Sequence, residues 1–493
     1  MTTLREQPVI ATGIQPEPLL SEVSHPGVPG HRLPPLDVPE ADDLPGQLTR
    51  AQVAIPSVGE LDVVRHFTHL AQRNFSIDSV FYPLGSCTMK YNPKVNEDVA
   101  RMPGIARVHP LQPDETVQGA LRILFELQSI LAEITGFRTA TLQPSAGAQG
   151  ELVGMLMMRA YHRDRGDTRR TRVLVPDSAH GTNPATAAMC GFSTVAVPTD
   201  AHGNVDLGRL QAELDETVVG LMLTNPNTLG LFEQELREVT AAVHQVGGLV
   251  YGDGANLNAI LGVVKPAEMG FDCLHINVHK TFSTPHGSGG PGAGPVAVSE
   301  KLEPYLPVPM VIQKTDGSYA LEYNRPKSIG RLKSYQGHFG ILARAYTYIR
   351  MHGPDGLREI SETAVLNANY LKKLLEDVYE VAYDRTCMHE FVLTARRQKA
   401  EHGVKTLDIA KRLLDFGIHP PTIYFPLIVE EAIMVEPTEG ESRQTLEHFS
   451  DVMHQIAREI ETDPELVLGA PREQVVGRLD EVTAARRPIL RWT

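Results

Sequence analysis

The sequence is poor in cysteine and tryptophan, and it has no long apolar run. Its 493 residues include four cysteines and one tryptophan. Cys87, Cys190, Cys273 and Cys387 form no C-x-x-C pair and have no zinc-site spacing, which excludes a disulfide-stapled domain and predicts a reduced, cytoplasmic protein with no metal. No run approaches the roughly 18 apolar residues of a membrane span, and the first residues lack the apolar core of a secretory signal.

Positive charge is also scarce. The chain has 46 Lys and Arg against 60 Asp and Glu, a formal net charge of −14. Such a field repels phosphate polymers and anionic lipid surfaces, so we expect neither nucleic acid nor membrane as a partner. Hydrophobic residues make up 42% of the chain, enough for the substantial core of a globular protein.

The sequence divides into three regions of different texture. Residues 1–59 are rich in proline and weak in periodicity, which fits an extended arm over a larger body or a partner, or equally a partly mobile tail. Residues 60–337 alternate short β-branched runs with helix-length segments, which predicts a large domain with a mainly parallel sheet covered on both faces. Residues 338–493 have the pattern of a smaller C-terminal α+β domain.

The large domain owes this prediction to individual segments. Helical spacing of apolar residues occurs at 121–135, at 151–162 and at 236–246. Predicted buried strands are RVLV (172–175), TVAV (194–197), VGLMLT (219–224), GLVYGD (248–253) and LHINV (274–278). In such sheets ligands bind beyond the carboxyl ends of the strands.

Two strand ends carry the residues that matter most. Asp253 ends one apolar run, and Lys280 follows the next. Alone, the aspartate reads as a turn residue and the lysine as the chain reaching the surface. Together they are the pair that pyridoxal phosphate needs, an amine for the Schiff base and an anion for the ring nitrogen.

Two further segments strengthen this interpretation. PSAGAQGE places Ser145, Ala146 and Gly147 before a predicted helix, where free N–H groups can bind phosphate, although an ordinary helix start fits the same pattern. His180 follows the strand RVLV and stands where fold type I pyridoxal enzymes place a flat side chain over the cofactor; alone it would read as a capping or core histidine.

One motif points elsewhere and is rejected. GSGGPG, residues 287–292, matches the G-x-G-x-x-G dinucleotide pattern. That pattern requires a preceding strand and an immediately following helix. Prolines and the strand-like VAVS follow here, so a bent loop is favoured over a nicotinamide site.

Several strings together resemble the glycine decarboxylase family, the P-protein of the glycine cleavage system. They are PLGSCTMKYNPK (83–94), HPLQPDETVQGAL (109–121), LQPSAGAQGE (142–151), AHGTNPA (179–185), YGDGANLNAI (251–260) and NVHKTF (277–282). The match runs from about residue 54 to residue 437. Because the chain has about half the length of the fused P-protein and keeps the lysine, it resembles subunit 2 of the two-subunit form.

The resemblance implies a fold and a set of roles. The fold is α/β, a fold type I pyridoxal-phosphate-dependent transferase similar to aspartate aminotransferase. Lys280 becomes the Schiff-base lysine, Asp253 the partner of the pyridine nitrogen and His180 the ring-stacking residue. The segment of Ser145, Ala146 and Gly147 becomes the phosphate cradle, and Thr228 reaches the cofactor's phenolic oxygen. For the substrate carboxylate, Arg325 and Arg331 are guesses.

The resemblance also implies a reaction and partners. Glycine would lose CO2, and its aminomethyl group would pass to the lipoyl disulfide of a separate H-protein. The chain would assemble with a related subunit 1 that lacks the lysine, in a two-plus-two heterotetramer. Another fold type I amino-acid decarboxylase or lyase is the alternative enzyme. A non-catalytic assembly subunit is the alternative from another class, and the presence of Lys280 argues against it.

Overall fold

The computed structural model describes residues 16–28, 30, 34–39, 45–50, 55–109, 112–286 and 292–490. Its contacts divide the chain into two compact units. One unit comprises residues 81–469, and the other comprises residues 1–80 and 470–493. The predicted domain boundaries after residues 59 and 337 stay predictions.

A seven-stranded sheet forms the centre of the unit 81–469. Its strand order is β1-β7-β6-β5-β4-β2-β3. Neighbours from β6 to β3 pair in parallel, whereas β7 pairs antiparallel with both β6 and β1. The prediction of a mainly parallel sheet is therefore confirmed. The seven strands are β1 Thr139–Thr141, β2 Arg172–Pro176, β3 Ser193–Val197, β4 Val218–Thr224, β5 Leu249–Gly254, β6 Cys273–Ile276 and β7 Val296–Val298.

The apolar strands of this sheet are buried on both faces, as their near-continuous hydrophobic runs predict. On β5, Val250 packs into one hydrophobic cluster, while Leu249 and Tyr251 pack into another on the opposite side. Helix α4 supplies the first cluster and α5 the second. This burial fixes the sheet as a rigid support, so side chains at its carboxyl edge are held in place.

Fifteen α-helices occur in the described part of the chain. They are α1 Glu60–Gln72, α2 Lys94–Ala100, α3 Pro103–Ala106, α4 Gln118–Thr135, α5 Gly147–Asp164, α6 Thr182–Met189, α7 Leu207–Glu213, α8 Leu236–Gln245, α9 Val278–Thr281, α10 Phe339–Leu375, α11 Arg396–His402, α12 Thr406–Asp415, α13 Arg443–Thr462, α14 Pro464–Leu468 and α15 Glu481–Arg486. Helix α10 is kinked at Gly353, which has a φ of 63° and precedes Pro354. No helix among these residues is both long and apolar enough to span a bilayer.

A two-stranded antiparallel sheet precedes helix α10 in the same unit. Its strands are β8 Met310–Gln313 and β9 Tyr319–Glu322. A further sheet follows helix α10. This four-stranded sheet contains β10 Glu380–Val381, β11 Phe391–Thr394, β12 Thr422–Ile423 and β13 Ala432–Val435, in the order β10-β11-β13-β12. All its pairs are antiparallel, and α13 packs into its hydrophobic cluster. The predicted α+β character of this region is confirmed.

The unit of residues 1–80 and 470–493 is much less buried. Its helix α1 contains no buried residue, and Leu61, Val64, Phe67 and Leu70 are exposed along it. Glu17 contacts His69 and Arg73 of the same unit, which ties the N-terminal segment to α1. Residues 1–15, the first part of the proline-rich arm, lie outside the described residues.

Candidate active site

The carboxyl ends of β5 and β6 bring the aspartate and the lysine to one edge of the large sheet. Asp253 on β5 is the parallel-register partner of His275 on β6. Helix α9 begins two positions after β6 ends, and it carries Lys280. Asp253 is buried, with 4% of its surface exposed, whereas Lys280 is only partly buried. The pair required for pyridoxal chemistry thus meets at the edge where ligands bind in α/β sheets.

Hydrogen-bond donors surround the carboxylate of Asp253. Its Oδ1 accepts from the backbone N–H of Ala255 at 3.0 Å and lies 3.4 Å from Nε2 of His275. The side chain of Asn183, in the orientation that satisfies both of its polar atoms, donates to Oδ2 at 3.3 Å. His275 is itself held by the hydroxyl of Tyr251. These contacts supply hydrogen bonds to both oxygens of a buried carboxyl group.

Glu151 lies next to Asp253, and the sequence reasoning assigned it no role. It is buried in the second turn of α5 and accepts from the hydroxyls of Thr182 at 2.7 Å and Thr186 at 3.1 Å. Burial raises the pKa of Glu151, and the neighbouring charge of Asp253 raises it further. The sequence did contain a signal for Glu151, because this residue ends the string LQPSAGAQGE, whose small residues begin helix α5.

The segment of Ser145, Ala146 and Gly147 forms the start of helix α5. Ala146 is the N-cap residue and gives the helix no side-chain cap, so the first N–H groups of an 18-residue helix remain available. A Cβ on Gly147 would lie 2.6 Å from Nδ2 of Asn277, so a larger residue there would displace the Asn277 side chain. The positive end of the helix dipole and these N–H groups suit a phosphate.

His180 and Thr228 lie near the same edge. His180 follows β2, is exposed, and bonds through Nδ1 to the hydroxyl of Thr182 at 3.0 Å. Partial loss of water lowers the pKa of His180, with Asp253 opposing this shift and Lys280 adding to it. These influences place His180 within electrostatic reach of both residues. Thr228 is buried, and its hydroxyl donates to the carbonyl of Ser178.

Polar atoms without a protein partner collect around Lys280 in the described part of the chain. They include Oγ1 of Thr281, Oγ1 of Thr284, Nδ1 of His279 and Nε2 of His286. Burial lowers the pKa of His279 to about 3 and that of His286 to about 4, so both rings are neutral. Unpaired buried polar groups mark a place that a ligand completes. Together with the uncapped helix, they fit a phosphate-bearing aldehyde such as pyridoxal phosphate.

The two arginines considered for the substrate carboxylate have other contacts. Arg325 donates to Glu322 at 3.2 Å and to the carbonyl of Glu303 at 2.9 Å. Arg331 lies over the ring of Tyr323, with 5.0 Å between guanidinium carbon and ring centre.

Of the rejected dinucleotide motif, residues 287–291 lie outside the described residues. The strand expected after the motif is present as β7.

Fold and site together define a class. A mainly parallel sheet with a lysine and an aspartate at adjacent strand ends, beside an uncapped helix, is the arrangement of fold type I pyridoxal-phosphate-dependent enzymes. Residues 156–313 match the aminotransferase class-V family model. Among solved structures, a glycine decarboxylase (P-protein) of the glycine cleavage system has a TM-score of 0.71 at 23% identity, covering 84% of this chain and 93% of that one. A sphingosine-1-phosphate lyase from Burkholderia pseudomallei has a TM-score of 0.63 at 14% identity, covering 83% and 93%.

Curated relatives define the family within that class. The probable glycine dehydrogenase (decarboxylating) subunit 2 of Halalkalibacterium halodurans is 59% identical over 96% of this chain and 98% of its own length. The protein of the same name from Bacillus velezensis is 57% identical over 97% and 98%. Residues 360–468 match the family model of the glycine dehydrogenase C-terminal domain. The chain belongs to the glycine dehydrogenase (decarboxylating) subunit 2 family, as its sequence motifs indicated.

Proposed function

We propose that this chain is the pyridoxal-phosphate-dependent subunit that decarboxylates glycine and transfers the aminomethyl group to the lipoyl disulfide of an H-protein. The observation that carries the proposal is the presence of Lys280 and Asp253 at neighbouring strand ends in a member of the subunit 2 family. A non-catalytic assembly role would not require this pair.

Each predicted residue would hold one part of the cofactor. Lys280 would bond to the aldehyde carbon through Nζ, and Asp253 would face the ring nitrogen. His180 would cover the ring, and Thr228 would reach the phenolic oxygen. The start of α5, from Ser145 to Gly147, would hold the phosphate, since its N–H groups carry no side-chain cap.

Two neighbouring carboxyl groups support this chemistry. When bound, pyridoxal phosphate supplies a protonated ring that accepts the electron pair left on the α-carbon as CO2 departs. Asp253, with donors to both oxygens, would face the ring nitrogen and hold the proton there. Burial raises the pKa of Glu151 beside it.

The catalytic test uses the full chain, co-expressed with its family's subunit 1 and supplied with pyridoxal phosphate. Exchange of labelled bicarbonate into the carboxyl group of glycine should require lipoylated H-protein. Glycine-dependent CO2 release that is independent of a lipoyl carrier would favour the alternative, another fold type I decarboxylase or lyase. No turnover of glycine under any of these conditions would contradict the proposal.

We also propose a two-plus-two assembly with a related chain that lacks the lysine. The name of the relatives, subunit 2, implies a partner subunit. Exposed Leu61, Val64, Phe67 and Leu70 on α1 support a large interface, because obligate interfaces are apolar and lone chains rarely leave such faces in water. The four free cysteines agree with assembly in the cytoplasm.

The assembly test compares two charge insertions on α1. Phe67→Glu places a carboxylate on the exposed apolar face, and Gln72→Glu adds the same charge near the end of the helix. Light scattering after co-expression should give a four-chain particle for the wild type and Gln72→Glu, and separated chains for Phe67→Glu. A monodisperse single chain that is fully active with H-protein would refute the assembly.

A further inference from the structure

The string PLGSCTMK, the most distinctive in the sequence, has no role in the function described so far. The structure holds it against residues that come more than 300 positions later. Leu84 forms a β-bridge with Val435, and the hydroxyl of Thr422 donates to the carbonyl of Gly85 at 2.7 Å. A Cβ on Gly85 would lie 2.2 Å from Cγ of Met434, so the backbone lies directly on β13. We call residues 85–88 the latch loop.

The latch loop has two residues with positive φ, and the N–H of each donates to a buried glutamate. Ser86 has a φ of 63° and Thr88 a φ of 45°, in the left-handed region that side chains disfavour. The N–H of Ser86 donates to Oε2 of Glu390 at 2.6 Å. The N–H of Thr88 donates to Oε2 of Glu436 at 2.9 Å. Strained backbone persists where surrounding contacts determine it, and here two carboxyl groups do so on either side of Cys87.

These two acids lie in an entirely buried cluster. His389, Glu390 and Glu436 are each 0% exposed, and one ligand atom from each lies within 4.8 Å of the others. Burial raises the pKa of Glu436 to about 7. Burial also raises the pKa of Glu390, and the charge of Glu436 adds to that shift. At neutral pH the two acids therefore carry fewer than two negative charges.

The cluster offers too few open ligands for a metal ion. Both oxygens of Glu390 already accept hydrogen bonds, Oε1 from Asn256 at 3.3 Å and Oε2 from Ser86. The atoms without a partner are the ring nitrogens of His389 and Oε1 of Glu436. Protein metal sites use three or four such ligands. The cluster is therefore better described as two neighbouring buried acids whose pKa values are raised than as a cation site.

The latch loop also lies beside the proposed catalytic lysine. The positive charge of Lys280 acts on Cys87, on Glu390 and on Glu436, in each case lowering the pKa against the effect of burial. Three residues beyond Lys280, the hydroxyl of Ser283 donates to the carbonyl of Tyr91. The segment after the latch loop and the segment after the lysine are thus tied together.

We propose that Glu390 and Glu436 are positioning residues that fasten the latch loop beside Lys280 by accepting the two backbone N–H groups that flank Cys87. The part of this inference that concerns catalysis rests on the proposed function. The part that concerns the loop does not, because it can be measured without substrate.

The first experiment is amide hydrogen exchange on the full, cofactor-loaded chain, followed by mass spectrometry of peptides that contain residues 83–90. Glu436→Ala and Glu390→Ala should each accelerate exchange in this segment at least about tenfold, as expected for losing a hydrogen bond to a charged or strongly polar acceptor. Peptides from β4 should be unchanged. Glu430→Ala is the control, since it removes an exposed glutamate from the same region that contacts Lys399. Wild-type exchange at 83–90 in both test variants would overturn the proposal.

The second experiment uses Glu436→Gln, which keeps an oxygen that accepts the N–H of Thr88 but cannot ionise. It tests the proposal even if an alanine variant does not fold. Glu436→Gln should protect residues 83–90 at both pH 6 and pH 8. The wild type should match it at pH 6 and exchange several-fold faster at pH 8, because ionised Glu436 and Glu390 repel each other. The other titratable groups around this pair are His389, Glu439, Lys280, Cys87 and Cys387. A constant ratio between wild type and variant across this range would overturn the proposal.

Kinetics separate positioning from mere structural support. Glu436→Ala should lower kcat/KM for glycine about tenfold or more and speed release of the cofactor, with Glu436→Gln restoring both near pH 6. A faster-exchanging loop with unchanged kcat/KM and cofactor release would overturn the positioning role. Absence of glycine turnover in the wild type would count against the proposed function alone, since the exchange measurement would still report on the latch loop.

Discussion

Two pairs of buried carboxyl groups lie in the unit 81–469, one at the edge of the large sheet and one beside the four-stranded sheet, and they are held in different ways. Asp253 and Glu151, the sheet-edge pair, stand on β5 and α5 with hydroxyl, amide and backbone donors around them. Glu390 and Glu436, the loop pair, flank β11 and β13 and accept mainly from backbone N–H groups of the latch loop. Burial raises the pKa of Glu151, Glu390 and Glu436 alike, so the two pairs differ in what they hold: the first lies at the sheet edge, and the second holds the backbone of a loop.

Lys280 follows the strand next to Asp253, and its charge acts on the loop pair, so its removal should have the largest effect. Lys280→Ala should abolish glycine exchange and the covalent bond to the cofactor, because no other amine would be available for that bond. Reduction with borohydride followed by mass spectrometry measures the linkage. Lys265→Ala, which removes an exposed lysine, is the control. A cofactor adduct trapped by borohydride in Lys280→Ala would show that the cofactor is attached to another residue.

The sheet-edge pair should depend on a fixed charge. Asp253→Asn should keep the cofactor and lose about two to four orders of magnitude in rate, the range for removing a key electrostatic or acid–base partner. Glu151→Gln should lower the rate less than about tenfold, since burial raises the pKa of Glu151 and so favours its neutral form. Asp177→Asn, an exposed change after β2, controls for charge at this edge. Equal losses in the first two variants would remove the difference that we draw between Asp253 and Glu151.

The loop pair has a neighbouring ion pair that should matter for stability. Nζ of buried Lys90 donates to Oε1 of Glu439 at 2.7 Å and to Oδ1 of Asn258 at 2.8 Å. Lys90→Met removes the positive charge beside the mostly buried side chain of Glu439 and leaves it the neutral donors Asn258 and Tyr348, so the free energy of unfolding should fall by up to about 3–5 kcal/mol. Denaturant titration of Lys90→Met, Lys94→Met and the double variant Lys90→Met/Glu439→Leu measures this. The exposed Lys94 change should be nearly silent, and the double variant should recover stability; a silent Lys90→Met would show that the pair is not important.

The smallest expected effect is a pH dependence confined to the loop pair. The folded-state pKa of Glu436, about 7, lies above its usual value of 4.5, so protonation favours the folded chain. This contribution is fully present below about pH 4.5 and is lost as the pH rises through about 7. Relative to Glu436→Gln, the wild type should therefore lose about 1–3 kcal/mol of stability between pH 4.5 and pH 8. Parallel stability curves for the two proteins would mean that Glu436 does not titrate in this range.

The comparison also separates what was predictable from what was not. The sheet-edge residues lie on or just after runs whose apolar patterns predict strands, and the carboxyl ends of parallel strands meet at one edge. That rule brought Asp253 and Lys280 together from the sequence alone. His275 and Glu151 stood in the same strings, but nothing local distinguishes a supporting side chain from an ordinary buried one.

The sequence by itself determined the alternation of strands and helices between residues 172 and 278 and the family, and it predicted the chemistry of the lysine–aspartate pair, because these depend on local patterns and on residue types at strand ends. Only the tertiary structure decided that PLGSCTMK is fastened by Glu390 and Glu436 and that Lys90 pairs with Glu439. Those contacts join residues about 300 or more positions apart, whose spacing carries no periodic signal. Their protonation depends on burial and on the donors within hydrogen-bond reach, and both arise only when the chain has packed.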